Sequence, residues 1–388
     1  MGKRFPLDGI DVRAVAAANG PEGLVALSGR QGLWLASPED SSGERCLTRA
    51  ISKDTAGKWL DLGSVSWCPD LRKTGWLATV RQRTVLLWDA GISRACGNIE
   101  LTASVRAVTD IHWGSHLATG AMDGSVRLHD HRDLRQVAAV FNSRSNGYTQ
   151  VRINNTAPLL LASAHAGYLL VWDVRSPKRA LSSIIAHVSN KVGKFDWGRH
   201  ASADHIVTCS PMEYEVKSWK MQPEAAPDRQ PTPAAALKYS SMVASALMAP
   251  SGTLVLTAHA DARLRLCALP MRDDEPSMPV TPATPARAAT SGGSGSVGEQ
   301  KLSQVLLSCS TGGPVERRVD VGPPLPGAIA GAGDGASDFR VVAVTAPAGG
   351  GAAALREWLI TSQVAAVTEP TEMAAGGGAG GSGDGVVI

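Results

Sequence analysis

One pattern constrains this chain more than any other. A short apolar segment that closes on an aromatic residue, or on a substitute for one, returns at near-even intervals. The segments are GLWLAS (Trp34), TVLLWDAG (Trp88), SVRLHDHR (His129), YLLVWDVR (Trp172), EVKSWKMQ (Trp219), RLRLCALP (Cys267) and ALREWLIT (Trp358). Successive steps are 54, 41, 43, 47, 48 and 91 residues, so five lie near one period and the last spans about two. Self-similarity at a period of roughly 40–45 residues is the mark of a repeat architecture, each repeat being one supersecondary unit that buries its faces only against its neighbours. The same recurrence explains a composition with 10 Trp against 4 Phe and 4 Tyr.

The double step has a visible cause. Residues 271–302 and 311–336 are rich in Pro, Thr, Ala, Gly and Ser, as is the Gly-rich tail 369–388. Such segments bury too little apolar surface to offset chain entropy and are expected to be disordered. Between the inserts, 303–310 (SQVLLSCS) is expected to be a strand of the last unit. Setting the three segments aside leaves 310 residues, about 44 for each of seven units, which is the size of a four-stranded propeller blade. The expected plan is six blades within 1–270 and a seventh from 303–310 and 337–368, with 363–367 (QVAAV) as its outer strand.

Each unit also repeats internally. Ahead of most closing segments lies an alternating strand: GSVSWCP with Trp67, VTDIHWG with Trp113, TQVRINN, VGKFDWG with Trp197, and SALMAPSG. A run with small residues follows, such as HLATGAMDG or LLLASAHAG, and then a tight turn at Asp123-Gly124 or Ala166-Gly167. Period-two alternation with such turns signals hairpins. The indoles on the first and third strands would fill the gap between stacked sheets. Trp59 and Trp76 fall outside both recurring positions and are expected to be buried between blades.

The pairs Trp88-Asp89 and Trp172-Asp173, with AHVSNKVGKFDW ahead of the fifth unit, resemble the WD-repeat family of seven-bladed β-propellers. That resemblance implies an all-β fold with a disordered insertion near the last blade. It also implies a buried tetrad of His, Ser or Thr, Asp and Trp in each blade. Only parts match here: His187 with Thr208 and Trp219 but no turn Asp, Asp123 with no preceding His, and Asp261 with Cys267 in place of Trp. The stretches ALSGRQGLWL, KWLDLGSVSWCP, AMDGSVRLHD, LLVWDVRSPKRA, IAHVSNKVGKFDW and LREWLITSQ further resemble the propellers of SEA/GATOR complex subunits. This implies a scaffold in amino-acid signalling to the TOR kinase, cytoplasmic and peripheral at the vacuolar or lysosomal membrane, with other subunits of such a complex as partners. Members of that group continue into an RWD domain, helical repeats and a zinc domain. The present chain ends in GGGAGGSGDGVVI, which suggests a truncated gene model, a fragment or a lineage that keeps the propeller alone.

No other chemistry competes. The formal charge of +3 comes without a basic stripe, so no nucleic-acid partner is expected. No run of about 18 apolar residues occurs, so no membrane insertion is expected. Six separated Cys form no zinc-spaced cluster and suggest a reduced, intracellular chain. Gly293, Gly295 and Gly298 match GxGxxG but lack the strand and helix that give that motif its phosphate cradle, so they read as linker. His112 and His116, spaced as on a helix, fall on a strand and its turn. No catalytic residue, metal, cofactor or small-molecule substrate is expected. One alternative carries specific residues: Asp130-His131-Arg132 and Asp173-Val174-Arg175 resemble the Asp-x-Arg motif by which some WD-repeat substrate receptors dock, through the Arg, onto a cullin ubiquitin-ligase adaptor. The plainer reading is that each Arg caps its own turn.

Overall fold

The computed structural model describes most of residues 3–268; the gaps are 8–9, 19–23, 40–44, 51–52, 55, 70–74, 103–104, 131–132, 135, 144, 190, 199–201, 222–230, 250–253 and 262. Beyond 268 it describes 305–310, 319–322, 339–345 and 353–360. The expectations placed on the inserts, on 363–367 and on the tail otherwise lie outside the described residues.

After β1 (Lys3–Leu7), the chain builds six sheets from consecutive strands. The first holds β2 (Val12–Ala17), β3 (Val25–Gly29), β4 (Gly32–Glu39) and β5 (Arg45–Arg49). The second holds β6 (Val65–Trp67), β7 (Trp76–Arg81), β8 (Thr84–Asp89) and β9 (Arg94–Glu100). The third is β10 (Val108–Trp113), β11 (Leu117–Ala121), β12 (Ser125–His129) and β13 (Val137–Asn142). The fourth is β14 (Thr149–Ile153), β15 (Leu160–His165), β16 (Tyr168–Asp173) and β17 (Ser182–Ile185). The fifth contains β18 (Phe195–Trp197), β19 (His205–Ser210), β20 (Glu215–Lys220) and β21 (Ala235–Lys238). The sixth contains β22 (Val243–Met248), β23 (Leu254–His259), β24 (Arg263–Ala268) and β25 (Val305–Ser310). A further four-stranded sheet is discontinuous: β26 (Val319–Gly322), β27 (Phe339–Thr345) and β28 (Ala353–Ile360), completed by β1.

The result is an all-β propeller. Each sheet touches the next through its first strand, and β2 touches β26 and β27, so the contacts return to the start. The core consists of clusters that straddle neighbouring sheets. One joins Leu33 and Leu35 to Leu62, Trp67, Leu77 and Trp88, and another joins Leu169, Val171 and Ile184 to Phe195, Trp197 and Trp219. Strands this short, apolar on both faces, gain burial only by stacking face to face.

Four expectations are corrected by the strand pairing. The segment 303–310 does not serve the last sheet: β25 pairs with β24 as the outer strand of the sixth, with Leu264 opposite Cys309. Part of 311–336, read as an insert, forms β26 and pairs with β27. The outer edge of the last sheet is filled by β1, with Lys3 opposite Glu357 and Leu7 opposite Ala353, in place of 363–367. Leu7 is buried with Leu355 against Val12 and Leu27, which gives that edge an apolar reason to close. Finally, Trp34 lies on a third strand but near its beginning, opposite Leu27 and two residues from the turn, whereas Trp88, Trp172 and Trp219 lie near the end of theirs.

Candidate functional site

The fifth sheet carries a hydrogen-bonded core. In the register of β19 and β20, Trp219 faces Ile206 and Thr208 faces Lys217, so the indole reaches Thr208 along the diagonal. Trp219 Nε1 donates to Thr208 Oγ1 at 2.9 Å, and Thr208 Oγ1 lies 3.0 Å from His187 Nε2. His187 Nδ1 lies 2.8 Å from Glu213 Oε2, and the Ser189 N–H donates to the other Glu213 oxygen at 2.6 Å. The fourth group expected to be missing is therefore present as Glu213, in the turn between β19 and β20. Burial opposes its charge, but the Ser189 N–H and His187 outweigh that and hold the Glu213 carboxyl down at about 2. Burial dominates at His187 and lowers its pKa despite Glu213.

Other sheets keep part of this arrangement with other side chains. Trp88 donates to Thr79 at 2.8 Å and Trp172 to Ser163 at 2.9 Å. In the fourth sheet the histidine sits on the second strand itself: His165 Nε2 is 2.8 Å from Ser163 and its Nδ1 is 3.2 Å from Thr149. In the sixth, His259 repeats this with Thr257 at 2.8 Å and Ser241 at 3.0 Å, while Tyr239 packs edge-on to it and its hydroxyl lies 3.2 Å from Cys267 Sγ. In the third, His129 takes the indole's place, 3.3 Å from Thr119. Burial lowers the pKa of His129, His165 and His259 to about 4. The turn carboxylates repeat as well: Asp123 with Arg127, Glu213 with Lys217 and Asp261 with Arg265, each four residues apart. In all three turns the Trp position follows two residues after the cation, at His129, Trp219 and Cys267.

A second polar system joins the sheets to one another. Trp67 Nε1 donates to the Ala16 carbonyl at 2.9 Å and Trp197 Nε1 to the Arg152 carbonyl at 3.0 Å, each reaching back one sheet. Ser64 donates to Asp110 at 2.7 Å, and Asp110 accepts from Arg152 Nη1 at 2.7 Å and from the Val151 N–H at 3.2 Å. Asp196 accepts from the Met248 N–H at 3.1 Å, and Gln150 donates to the Gly193 carbonyl at 2.6 Å. Trp113 lies buried on the first strand β10, and its backbone N–H donates to the Ser66 hydroxyl at 2.9 Å.

At the third-strand ends, Asp89 and Asp173 each cap the turn that follows, accepting from the Gly91 and Arg175 N–H groups at 2.9 and 2.8 Å. The Arg175 guanidinium forms a two-point pair with Asp173, at 3.0 and 2.7 Å, and remains 70% exposed, which is the turn-capping arrangement. Arg132 and the Trp358 side chain lie outside the described residues. Trp76 is half-buried against the cluster around Val80 and Trp113. Trp59, expected between blades, is instead 36% exposed on a loop, where the Arg49 guanidinium lies 4.1 Å from both its ring and that of Trp34, with Lys53 Nζ at 4.5 Å. A cation stacked on both rings holds the exposed Trp59 ring over Trp34, which itself packs against the cluster around Val12 and Leu27.

Sequence reasoning missed Glu213, Asp110, Arg152, His165 and His259 as structural partners. A search for any carboxylate four residues before a cation and six before the Trp position finds Glu213. The sheet-to-sheet pairs have no local signal, because Asp110 and Arg152 stand 42 residues apart.

No protein-family model matches the chain. It is 30% identical over 178 residues to GATOR2 complex protein WDR59 of Gallus gallus, and 29% over 191 residues to that of Homo sapiens. It is also 26% identical over 231 residues to Maintenance of telomere capping protein 5 of Saccharomyces cerevisiae. These matches take in 44%, 47% and 56% of the chain but only 17%, 18% and 19% of the relatives' length. The chain thus resembles a WD-repeat portion of much longer proteins. Among solved structures, a chain in the crystal structure of the Mitotic Checkpoint Complex superimposes with a TM-score of 0.55 at 17% identity, covering 69% of this chain and 77% of that one, a likeness of fold alone.

Proposed function

We propose that this chain is the closed, seven-bladed WD-repeat propeller of a GATOR2-type complex subunit, and that it works as a non-enzymatic protein-interaction scaffold. The observation that carries the reading is the His187–Thr208–Trp219–Glu213 core in a chain whose relatives include WDR59. Its role would be to hold loops rigidly at the propeller face for other subunits. In the cell it would act in the TOR response to amino acids, cytoplasmic and peripheral at the vacuolar or lysosomal membrane through its complex. Affinity purification of the tagged chain from cells of its source, followed by mass spectrometry, tests this. Recovery of other GATOR2-type subunits is expected. Their absence, with a cullin and its adaptor in their place, would overturn it in favour of a ubiquitin-ligase receptor.

A further inference from the structure

The face formed by the loops between sheets and by the turns between second and third strands is unevenly apolar. At the junction of the fourth and fifth sheets, Tyr168 stands directly opposite Ile185, and both are about half exposed. The Ala186 and His187 N–H groups donate to the Gly167 carbonyl, which brings the next residue, Val188, beside that pair. Val188 is 88% exposed. It is flanked by His187 and Ser189, which both bind Glu213, and the chain neighbours of Glu213 are Met212, 63% exposed, and Tyr214. Five apolar side chains from three chain segments, around 168, 185–188 and 212–214, thus lie exposed along one seam. Contiguous apolar exposure of this kind marks an interaction site more often than scattered residues do.

Two further observations give the seam a direction. Tyr214 has φ +54°, a left-handed conformation that bulky residues rarely adopt, whereas the equivalent turns of the first four sheets use Gly32, Gln82, Gly124 and Ala166, none of them aromatic. The turn is held there by Glu213, which is locked to His187, Ser189 and Lys217. A large ring kept in an unfavourable backbone conformation at the surface points to use of the ring. The charges are also one-sided. Among the described residues both carboxylates of this turn are consumed internally, Glu213 by His187 and Lys217, and Glu215 by Lys217 at 3.1 Å. Lys191, in the loop that carries Val188, and Lys238, opposite Glu215, are exposed and make no ion pair among the described residues.

We propose that this seam docks an extended segment of a partner protein that bears apolar or aromatic anchors flanked by acidic residues. Tyr168, Val188, Met212 and Tyr214 receive the anchors, and Lys191 and Lys238 receive the flanking carboxylates. The proposal rests on reading the chain as a scaffold, but its test does not depend on which complex the scaffold serves.

The purified full chain is presented with displayed peptide pools that share two Leu or aromatic anchors and differ only in flanks of Asp/Glu, Lys/Arg or Ser/Gly. Enrichment of the acidic-flanked pool is expected, and the enriched peptides, labelled with a fluorophore, give affinities by polarisation. Val188→Asp and Met212→Asp should each weaken binding by about tenfold or more with an unchanged melting temperature, since both side chains already face water. Lys191→Glu with Lys238→Glu should reverse the flank preference. Three results would overturn the proposal: no preference for acidic flanks, equal affinity of the enriched peptides for Val188→Asp and Met212→Asp, or concentration-dependent self-association that Val188→Asp abolishes, which would make the occupant a second copy of the chain.

Discussion

Replacing Asp110 by Ala should be the most damaging single change on the first strands, and its size can be worked from the contacts. The carboxylate accepts from Ser64 and Arg152, each at 2.7 Å, and from the Val151 N–H at 3.2 Å. The Asp110 and Arg152 side chains are only 6% and 14% exposed. Truncation leaves the Arg152 cation buried without its partner, a situation that costs about 3–5 kcal/mol. The orphaned Ser64 hydroxyl and Val151 N–H each add about 1 kcal/mol unless water reaches them. Against a total stability of roughly 5–15 kcal/mol, a loss of about 4 with both groups hydrated, or about 6 without, is a large fraction. Arg152→Met should cost less, about 2 kcal/mol, because Asp110 keeps two donors and the apolar stem of the new side chain replaces that of Arg. In the double variant no charge is stranded, so the two losses should fall short of additivity by about 2 kcal/mol. Urea unfolding followed by tryptophan fluorescence reads all four proteins, provided each shows a single transition. If Asp110→Ala lies within about 1 kcal/mol of the parent, or the double variant is additive, the pair behaves like an exposed one and the reasoning fails.

Acid should destabilise the fold earlier than carboxylate protonation alone would. His129, His165 and His259 have folded pKa values near 4 against an ordinary value near 6.5, so the unfolded chain binds protons first as pH falls. Their stabilising neutrality is complete above pH 6.5 and is lost between 6.5 and 4, each contributing a slope of up to about 1.4 kcal/mol per pH unit. Glu213, depressed to about 2, keeps its contribution above its ordinary range near 4.5 and loses it only between 4.5 and 2. Melting temperatures across pH 8 to 4 should therefore begin to fall near 6.5, and His165→Gln should flatten part of that fall; a flat profile to pH 5 contradicts the burial of these rings. Thr208→Val removes the oxygen shared by Trp219 and His187 and should cost about 2–3 kcal/mol in chemical denaturation, with a value under 1 arguing against the buried core. Arg175→Ala breaks only an exposed pair and should leave the denaturation midpoint indistinguishable from the parent's in the same measurement, a clear shift arguing against the turn-capping reading.

The strands were legible in the sequence because alternation and turns are local. Trp67, Trp113 and Trp197 stand on first strands, and Trp88, Trp172 and Trp219 near the ends of third strands, as their spacing indicates. Assignment of strands to sheets was legible only where the connection is short. A strand isolated by long, low-complexity segments, such as β25, carries no record of its partner, and its pairing with β24 reflects an open sheet edge closing on the nearest apolar strand. Trp34 shows the other limit. Distance from the preceding turn, not residue type, decides which side chain enters the gap between sheets, and four residues past the turn the first sheet has Ala36 where the second, fourth and fifth have Trp88, Trp172 and Trp219. At the candidate site, His187, Thr208 and Trp219 could be read in advance. Glu213 could not while only Asp was sought, since one added methylene lets a glutamate reach the same histidine from a slightly different turn.

The two polar systems do different work, and the difference explains why blades without tryptophan persist. The core around Trp219 ties together the second strand, the third strand and the preceding loop of one sheet. The bonds from Ser64 to Asp110 to Arg152, and the indoles of Trp67 and Trp197, tie first strands of successive sheets to one another. Loss of an indole at His129 or Cys267 weakens the first system locally and leaves the second intact, so a degenerate blade is still held by its neighbours. Each vacated indole position is also refilled from within its sheet, by the contact of His129 with Thr119 and by the Tyr239, His259 and Cys267 group. The chain segment 3–17 adds the last constraint, since β1 completes one sheet and β2 begins the next. Separating those two sheets requires peeling five paired residues from β28 and exposing Leu7 and Leu355, so the loops at the propeller face keep a fixed spacing even where individual sheets depart from the repeat.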